Sequence, residues 1–492
     1  MLMRIWVVLV LWLFSGFSMA SSATIWFQSE SSRAAAVELR AQLTVLASAQ
    51  VEPRFAHLLH QIQSAQSDAQ LSPLYSEAYW LVKDYWRALA TQPAGQLDLS
   101  QPLALLPRTG AVSRLAQNSH QDQLLPAVLA LEPKVDDYLS LRNWLMRYLY
   151  LAEEAPQLVR HANVLIKPGE RSDEIVQIRQ RLRQLKYLPE ASADPSYDGQ
   201  LLEVVRQFQR EHGLSDDGVI GPQTRHWLYL NYRERARILA RAMIRQTHDR
   251  AFFTDEYLLV NIPAYRAQWV SQAQPLFEAR VVVGMPTRQT PTMHTQLRHV
   301  VLNPRWNVPR SILYRDLLPN IAQDGHYVEN NGFEVIGADE EVLDLTPQAL
   351  QALAQQGFPY RLRQRSGTGN ALGRYKFYLN NSRAIYLHDT PSQGLFRHSR
   401  RAYSSGCVRV EGADEFAMAL LARNQTSPEQ IAAWQQIWQP KWVALSSPLP
   451  VFMVYWPAWS EAGRPQFRDD LYHMEGDIDH KMASLISVVE RN

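Results

Sequence analysis

Two stretches decide the reading of this chain: Tyr386-Leu387-His388-Asp389-Thr390-Pro391, and downstream Ser404-Ser405-Gly406-Cys407-Val408-Arg409-Val410. Cys407 is the one cysteine of the chain. It follows a Ser-Ser-Gly turn, where glycine lets the backbone curl until successive N–H groups point the same way. Such a nest, at Ser405, Gly406 and Cys407, can hold an oxyanion. Arg409 adds positive potential, which favours thiolate. His388 ends an apolar run from Ala384 that reads as a strand, and alternation puts Tyr386 and His388 on one face. A cysteine nucleophile needs a neighbouring base and donors for developing negative charge. The two stretches supply all of these.

The same residues also admit plainer roles. A single thiol can be buried and inert. Arg409 either holds a substrate carboxylate or braces the cysteine loop. Tyr386 either lines a pocket or is a half-buried strand tyrosine. His398 reads as a solvent-facing loop residue rather than a second base. Asp389 sits next to His388, where adjacent strand side chains point oppositely, so a backbone carbonyl is the expected partner of the imidazole. No His-Glu-x-x-His or multi-cysteine spacing occurs, so neither a metal nor a cofactor is expected.

Outward from this core, β-favouring runs occur at Glu256 to Ile262, Phe277 to Gly284, Leu297 to Leu302 and Tyr375 to Leu379, and again near Trp442 and Val451 to Trp456. They outline a domain over 255–460. Between Asn303 and Gly373 lies a partly helical stretch rich in Pro, Gly and Arg. It reads as a capping insertion over the site, with Trp306 packing it. The tail over 461–492 is polar.

Residues 163–230 form a smaller unit. Ser172 caps a helix whose first turn carries Asp173 and Glu174, with Ile175, Ile178, Leu182 and Leu185 on one face. A second helix groups Leu201, Val204, Val205 and Phe208, ended by Gly213. Gly221-Pro222 opens a third, carrying Thr224 and Leu228. Residues 24–160 carry apolar residues at helical spacing over Ala34–Leu46, Ser76–Ala90 and Lys134–Leu151, interrupted at Gln92–Gly95 and Leu106–Gly110. They read as one helical scaffold.

The first twenty residues place Arg4 before an apolar run, Ile5 to Phe14, and end Ser18-Met19-Ala20. That is the layout of a cleaved signal peptide. The run is about half what a spanning helix needs, so no stable membrane span is expected after cleavage.

With 492 residues, 46% hydrophobic and 20% charged, the chain is a multidomain globular protein rather than a disordered one. Fifty basic against 48 acidic residues leave no basic field for nucleic acid. A lone cysteine excludes an internal disulfide framework.

The series Tyr197-Asp198-Gly199, Phe208-Gln209, Gly213-Leu214, Asp217-Gly218, Gly221 and Thr224 resembles the three-helix peptidoglycan-binding domain of cell-wall enzymes. His388 followed by Ser404-Ser405-Gly406-Cys407-Val408-Arg409 resembles the signature of YkuD-type L,D-transpeptidases. Asn303 to Pro309, Leu372 to Phe377 and Ile385 to Pro391 look like the large YcbB-like members from Gram-negative bacteria. The resemblance implies a multidomain α+β chain with a helical scaffold, a peptidoglycan-binding domain and a β-rich catalytic domain with a capping insertion. It implies a periplasmic, carbapenem-sensitive enzyme that joins peptidoglycan stem peptides through a Cys407 thioester, with His388 as proton donor and acceptor. A wall-peptide hydrolase using the same thioester, or an inactive wall-binding protein, are the alternative readings.

Overall fold

The computed structural model describes residues 25–105, 123–155 and 164–476. The signal-like segment, the break at 106–110 and the tail beyond 476 lie outside the described residues.

The chain divides into two compact units, one of residues 1–90 with 102–133, the other of 91–101 with 134–492. In the first unit, helices Glu30–Ala49, Pro53–Ser64 and Asp68–Ala90 pack with a short helix, Leu124–Leu129. Ser29 and Ser32 cap the first helix reciprocally. Its Leu39, Leu43 and Leu46 recur at three- and four-residue steps and are fully buried.

Sequence periodicity placed helix Tyr138–Glu154 in the same scaffold; the structure places it in the second unit. Its Arg147 donates to the Gln184 carbonyl at 2.8 Å, and Tyr148 stacks on Tyr232 at 6.2 Å. Periodicity shows that a helix has an apolar face but not which neighbour covers it.

The three-helix unit matches its sequence expectation closely. Ser172 accepts from the Glu174 amide, Gly213 has φ +67°, and Pro222 opens its helix. Ile175, Ile178, Leu182, Leu201, Val205, Phe208 and Leu228 form the core, while Val204 is only half-buried. Several signature residues hold the fold itself. Gln209 donates to Asp217 at 3.0 Å and Thr224 at 3.2 Å, and the Tyr197 hydroxyl donates to the Gly218 carbonyl.

The strands are β1 (Glu256–Asn261), β2 (Arg266–Ser271), β3 (Gln274–Gly284), β4 (Met293–Leu302), β5 (Trp306–Asn307), β6 (Phe333–Ile336), β7 (Val342–Leu343), β8 (Arg361–Gln364), β9 (Tyr375–Leu379), β10 (Leu387–His388), β11 (Ala402–Ser404), β12 (Val408–Val410), β13 (Lys441–Val454), β14 (Ala458–Glu461) and β15 (Arg464–Phe467). The main sheet runs β11-β3-β12-β10-β9-β4-β13-β1-β2, and an additional β2–β3 pairing closes it. Closure leaves β11 alone outside the ring and removes most unpaired edges. The core fills one face with Leu258, Val281, Val300, Phe377, Leu387, Val408 and Phe416.

The expected insertion joins two paired neighbours, β4 and β9, whose Leu302 and Tyr375 are register partners. Its base is tied by the Asn303 amide to the Arg374 carbonyl at 2.8 Å. Between them, β5-β8-β6-β7 form a separate sheet with its own core of Leu313, Ile321, Phe333, Leu350 and Leu362. The insertion is therefore a folded subdomain.

The polar tail expected from 461 is a correction. Residues 461–476 are packed: β14 and β15 form a hairpin, and Glu475 is 1% exposed between Arg241 and Arg245 of helix Tyr232–Arg250. Short strands and one buried carboxylate leave no trace in hydropathy.

Candidate active site

The site is a consequence of strand register. Leu387 of β10 pairs antiparallel with Phe377 and parallel with Val408, and all three are fully buried in the core. Alternation therefore sends the next row to the opposite face: His388, with its register partners Lys376 and Arg409. Two residues back along the parallel pair, Tyr386 and Cys407 emerge on that same face. The Val408 amide donates to the Tyr386 carbonyl at 3.1 Å, which holds the two strands together at that level. Standard strand geometry puts the Cys407 and His388 backbones about 8 Å apart, with both side chains on one face.

Each group has a defined environment. His388 is 5% exposed. Its Nδ1 lies 2.5 Å from the Asp389 carbonyl. A carbonyl only accepts, so Nδ1 carries the proton and Nε2 is the basic nitrogen. The expected backbone partner is thus present. The Asp389 carboxylate faces elsewhere and accepts from the amides of Arg374 and Thr390 at 2.8 and 2.7 Å. It occupies the place where a side chain on Gly373 would stand, 2.2 Å from that glycine's Cβ position. Burial, then the charge of Arg409, holds the imidazole down to about 3. It is neutral at pH 7.

Cys407 is partly buried. Burial raises its thiol above the ordinary range, against the opposing pull of the Tyr386 amide, Lys376, the Tyr386 hydroxyl and Arg409. Arg409 does favour thiolate, as the sequence implies, but desolvation outweighs its positive charge. The resting pair is thiol and neutral imidazole.

The cysteine loop is braced from below. Gly406 has φ +112°, a conformation that side chains disfavour. Its carbonyl accepts from the Thr290 hydroxyl at 2.8 Å, and that hydroxyl accepts from the Gly284 amide at 2.8 Å. Tyr472 joins the same network, donating to the Gly284 carbonyl at 2.7 Å. The Gly406 amide is engaged by Ser404 Oγ at 3.1 Å, so in this conformation it is not one of the oxyanion donors expected from sequence. The Ser405 and Cys407 amides make no such bond among the described residues.

The insertion reaches the site twice. Trp306 packs at a tilt on Phe333 at 6.2 Å, and both its indole and Cys407 act on the ionisation of the Tyr386 hydroxyl. Trp306 both packs the subdomain and touches the site. On the other side, Arg288 bridges Asp316 of the insertion at 2.7 Å and Ser405 Oγ at 2.9 Å. His398 is exposed and stays apart from the dyad, against Tyr403.

Sequence reasoning missed Lys376, Arg288 and Thr290. The available signal for Lys376 was alternation in Tyr375-Lys376-Phe377, which sets the lysine opposite two core aromatics.

A closed β-barrel puts a loop cysteine and a buried neutral histidine on one sheet face, in a chain with a small three-helix unit. Comparison with known proteins gives the class. Residues 255–426 match the YkuD family, described as "L,D-transpeptidase catalytic domain". Residues 171–228 match the family described as "Putative peptidoglycan binding domain". The chain therefore carries a YkuD-type L,D-transpeptidase catalytic domain and a peptidoglycan-binding domain. It is 37% identical over 225 residues to a "Putative L,D-transpeptidase" of Haemophilus influenzae, and the aligned part is 45% of each protein. The chain thus spans less than half the length of that relative. Among solved structures, similarity is found to an L,D-transpeptidase of Xylanimonas cellulosilytica (15% identity, 60% of this chain and 100% of that one, TM-score 0.20). A second is an Enterococcus faecium L,D-transpeptidase (12% identity, 51% and 82%, TM-score 0.17).

Proposed function

We propose that the protein joins peptidoglycan stem peptides by acyl transfer through a thioester on Cys407. The observation that carries this reading is the shared sheet face of Cys407 and His388, with the imidazole neutral and its basic Nε2 unblocked by the Asp389 contact. His388 takes the thiol proton as Cys407 Sγ attacks the diaminopimelate carbonyl of a tetrapeptide donor. Negative charge grows on the carbonyl oxygen as the C–S bond forms. The Ser405 and Cys407 amides are the donors suited to it. The C–N bond to D-Ala then breaks, and His388 returns the proton to the leaving amine. The side-chain amine of a second stem attacks the thioester, losing its proton through His388 to the regenerated thiol. The product is a diaminopimelate–diaminopimelate crosslink.

Water competes with the acceptor amine. The insertion, tied from Asp316 through Arg288 to Ser405, is placed to limit it. Arg409 has no ion pair among the described residues, and its buried Nε has no hydrogen bond, which suits a substrate carboxylate. The three-helix unit would hold the wall polymer. The signal-like first twenty residues support a periplasmic location, and the thioester chemistry supports acylation by carbapenems.

The test is product analysis with disaccharide-tetrapeptide. The proposal predicts a dimer whose mass is two monomers less one alanine, dependent on Cys407. Tripeptide without dimer would convert the reading to the hydrolase. No turnover and no thiol acylation would leave a wall-binding protein.

A further inference from the structure

Lys376 and Arg409 flank His388 in neighbouring strands and share its sheet face with Cys407. Lysine and arginine withdrawn from water are ordinarily paired. These two are not paired with a carboxylate among the described residues. The acidic groups of the surrounding elements are engaged elsewhere. Asp389 accepts from the Arg374 and Thr390 amides. Asp414 accepts from the Tyr375 hydroxyl. Glu411 pairs with Arg280, and Asp316 pairs with Arg288. Lys376 instead lays its ammonium 4.0 Å from the centre of the Tyr386 ring, a contact that orients the amine without neutralising it. Arg409 keeps an unbonded, buried Nε.

That sheet face therefore holds two cations, one neutral imidazole and one neutral thiol. A thiolate would balance one positive charge, and only briefly, because acylation makes the sulfur neutral again. Throughout the life of a thioester both cations would lack a partner unless the acyl group brought one.

We propose that Lys376 and Arg409 together receive a carboxylate of the acyl donor, so that Lys376 is a substrate-binding residue that selects anionic donors. This rests on the acyl-transfer reading above. Burial lowers the affinity of the free lysine for its proton, and among the described residues no carboxylate opposes that effect. An incoming carboxylate supplies the missing partner and holds the ammonium charged.

The experiment compares a carbapenem bearing its free carboxylate with the same compound esterified, on the full chain and on Lys376→Met and Lys376→Arg. Second-order acylation of Cys407 is followed by intact mass, with iodoacetamide as a neutral control for thiol reactivity. The acid-to-ester rate ratio is independent of how much of a variant is folded. The proposal expects that ratio to fall at least about tenfold in Lys376→Met and to recover in part in Lys376→Arg. Loss of the lysine charge lets the thiol rise, so the ester and iodoacetamide rates fall together, and the proposal expects the acid rate to fall further than either. An unchanged ratio overturns the proposal. So does a parallel fall in all three rates, which would assign Lys376 to the thiol instead. If the parent chain reacts with neither carbapenem form, the acyl-transfer reading itself fails, which is a different result from a changed ratio.

Discussion

The neutral resting dyad makes a quantitative prediction about pH. Burial holds His388 down to about 3 and lifts Cys407 above its ordinary 9.0. With a thiol at or above that value, no more than about one molecule in a hundred carries thiolate at pH 7. The perturbation is a pH scan from 4 to 10, and the assay is the rate of alkylation by iodoacetamide, which reads thiolate directly. The rate should climb about tenfold per pH unit up to pH 9 without a plateau. A preformed thiolate–imidazolium pair would instead give a plateau between the two pKa values, and its rate at pH 6 would exceed ours by at least about a hundredfold. The same shift has a stability side. His388 has a folded pKa below its ordinary 6.5, so the unfolded chain binds the extra proton first as pH falls. Stability is therefore full above about 6.5 and is lost progressively toward 3. A plateau in alkylation below pH 7 would refute the reasoning, because it would show that the cations outweigh desolvation.

Three further outcomes follow from the contacts. Thr290→Val keeps the volume but removes the hydroxyl that joins the Gly284 amide to the Gly406 carbonyl; leaving a buried amide unpaired should cost about 1–3 kcal/mol, read as a lower melting temperature with slower acylation of Cys407. Arg288→Ala unties Asp316 and Ser405 together; it should raise amide exchange around Leu313–Leu317 and shift product from crosslink toward hydrolysis, and an unchanged product ratio would remove the insertion from the control of water. Glu174→Ala leaves Arg225 buried without its partner; a loss of about 3–5 kcal/mol should melt the three-helix unit and weaken sedimentation with murein while carbapenem acylation of Cys407 persists.

The parts of this molecule that were legible in sequence are those governed by local rules. Ser172, Gly213 and Pro222 sit where helix ends require them, and the face shared by Tyr386 and His388 follows from strand alternation. Gly406 adopts the positive φ that a Ser-Ser-Gly turn implies, and the imidazole finds a backbone carbonyl because Asp389 points away. What escaped depends on partners distant along the chain. Helix Tyr138–Glu154 has an apolar stripe, but its cover is Tyr232, more than seventy residues on. Glu475 reads as one acid in a polar tail until Arg241 and Arg245 close on it. Lys376 looks like an ordinary strand lysine until register sets it beside His388. The charge state of Cys407 lay beyond sequence for a related reason: sequence shows Arg409 but not the desolvation that opposes it.

The central claim is that Cys407 becomes acylated with His388 as its base. The most direct measurement is the intact mass of the protein after brief mixing with a tetrapeptide donor and acid quench, without acceptor. The account predicts a gain equal to the donor less D-Ala, mapped to Cys407, absent in Cys407→Ala and strongly reduced in His388→Gln. Dimer formation that persists in Cys407→Ala, or an acyl group found on another residue, would contradict it.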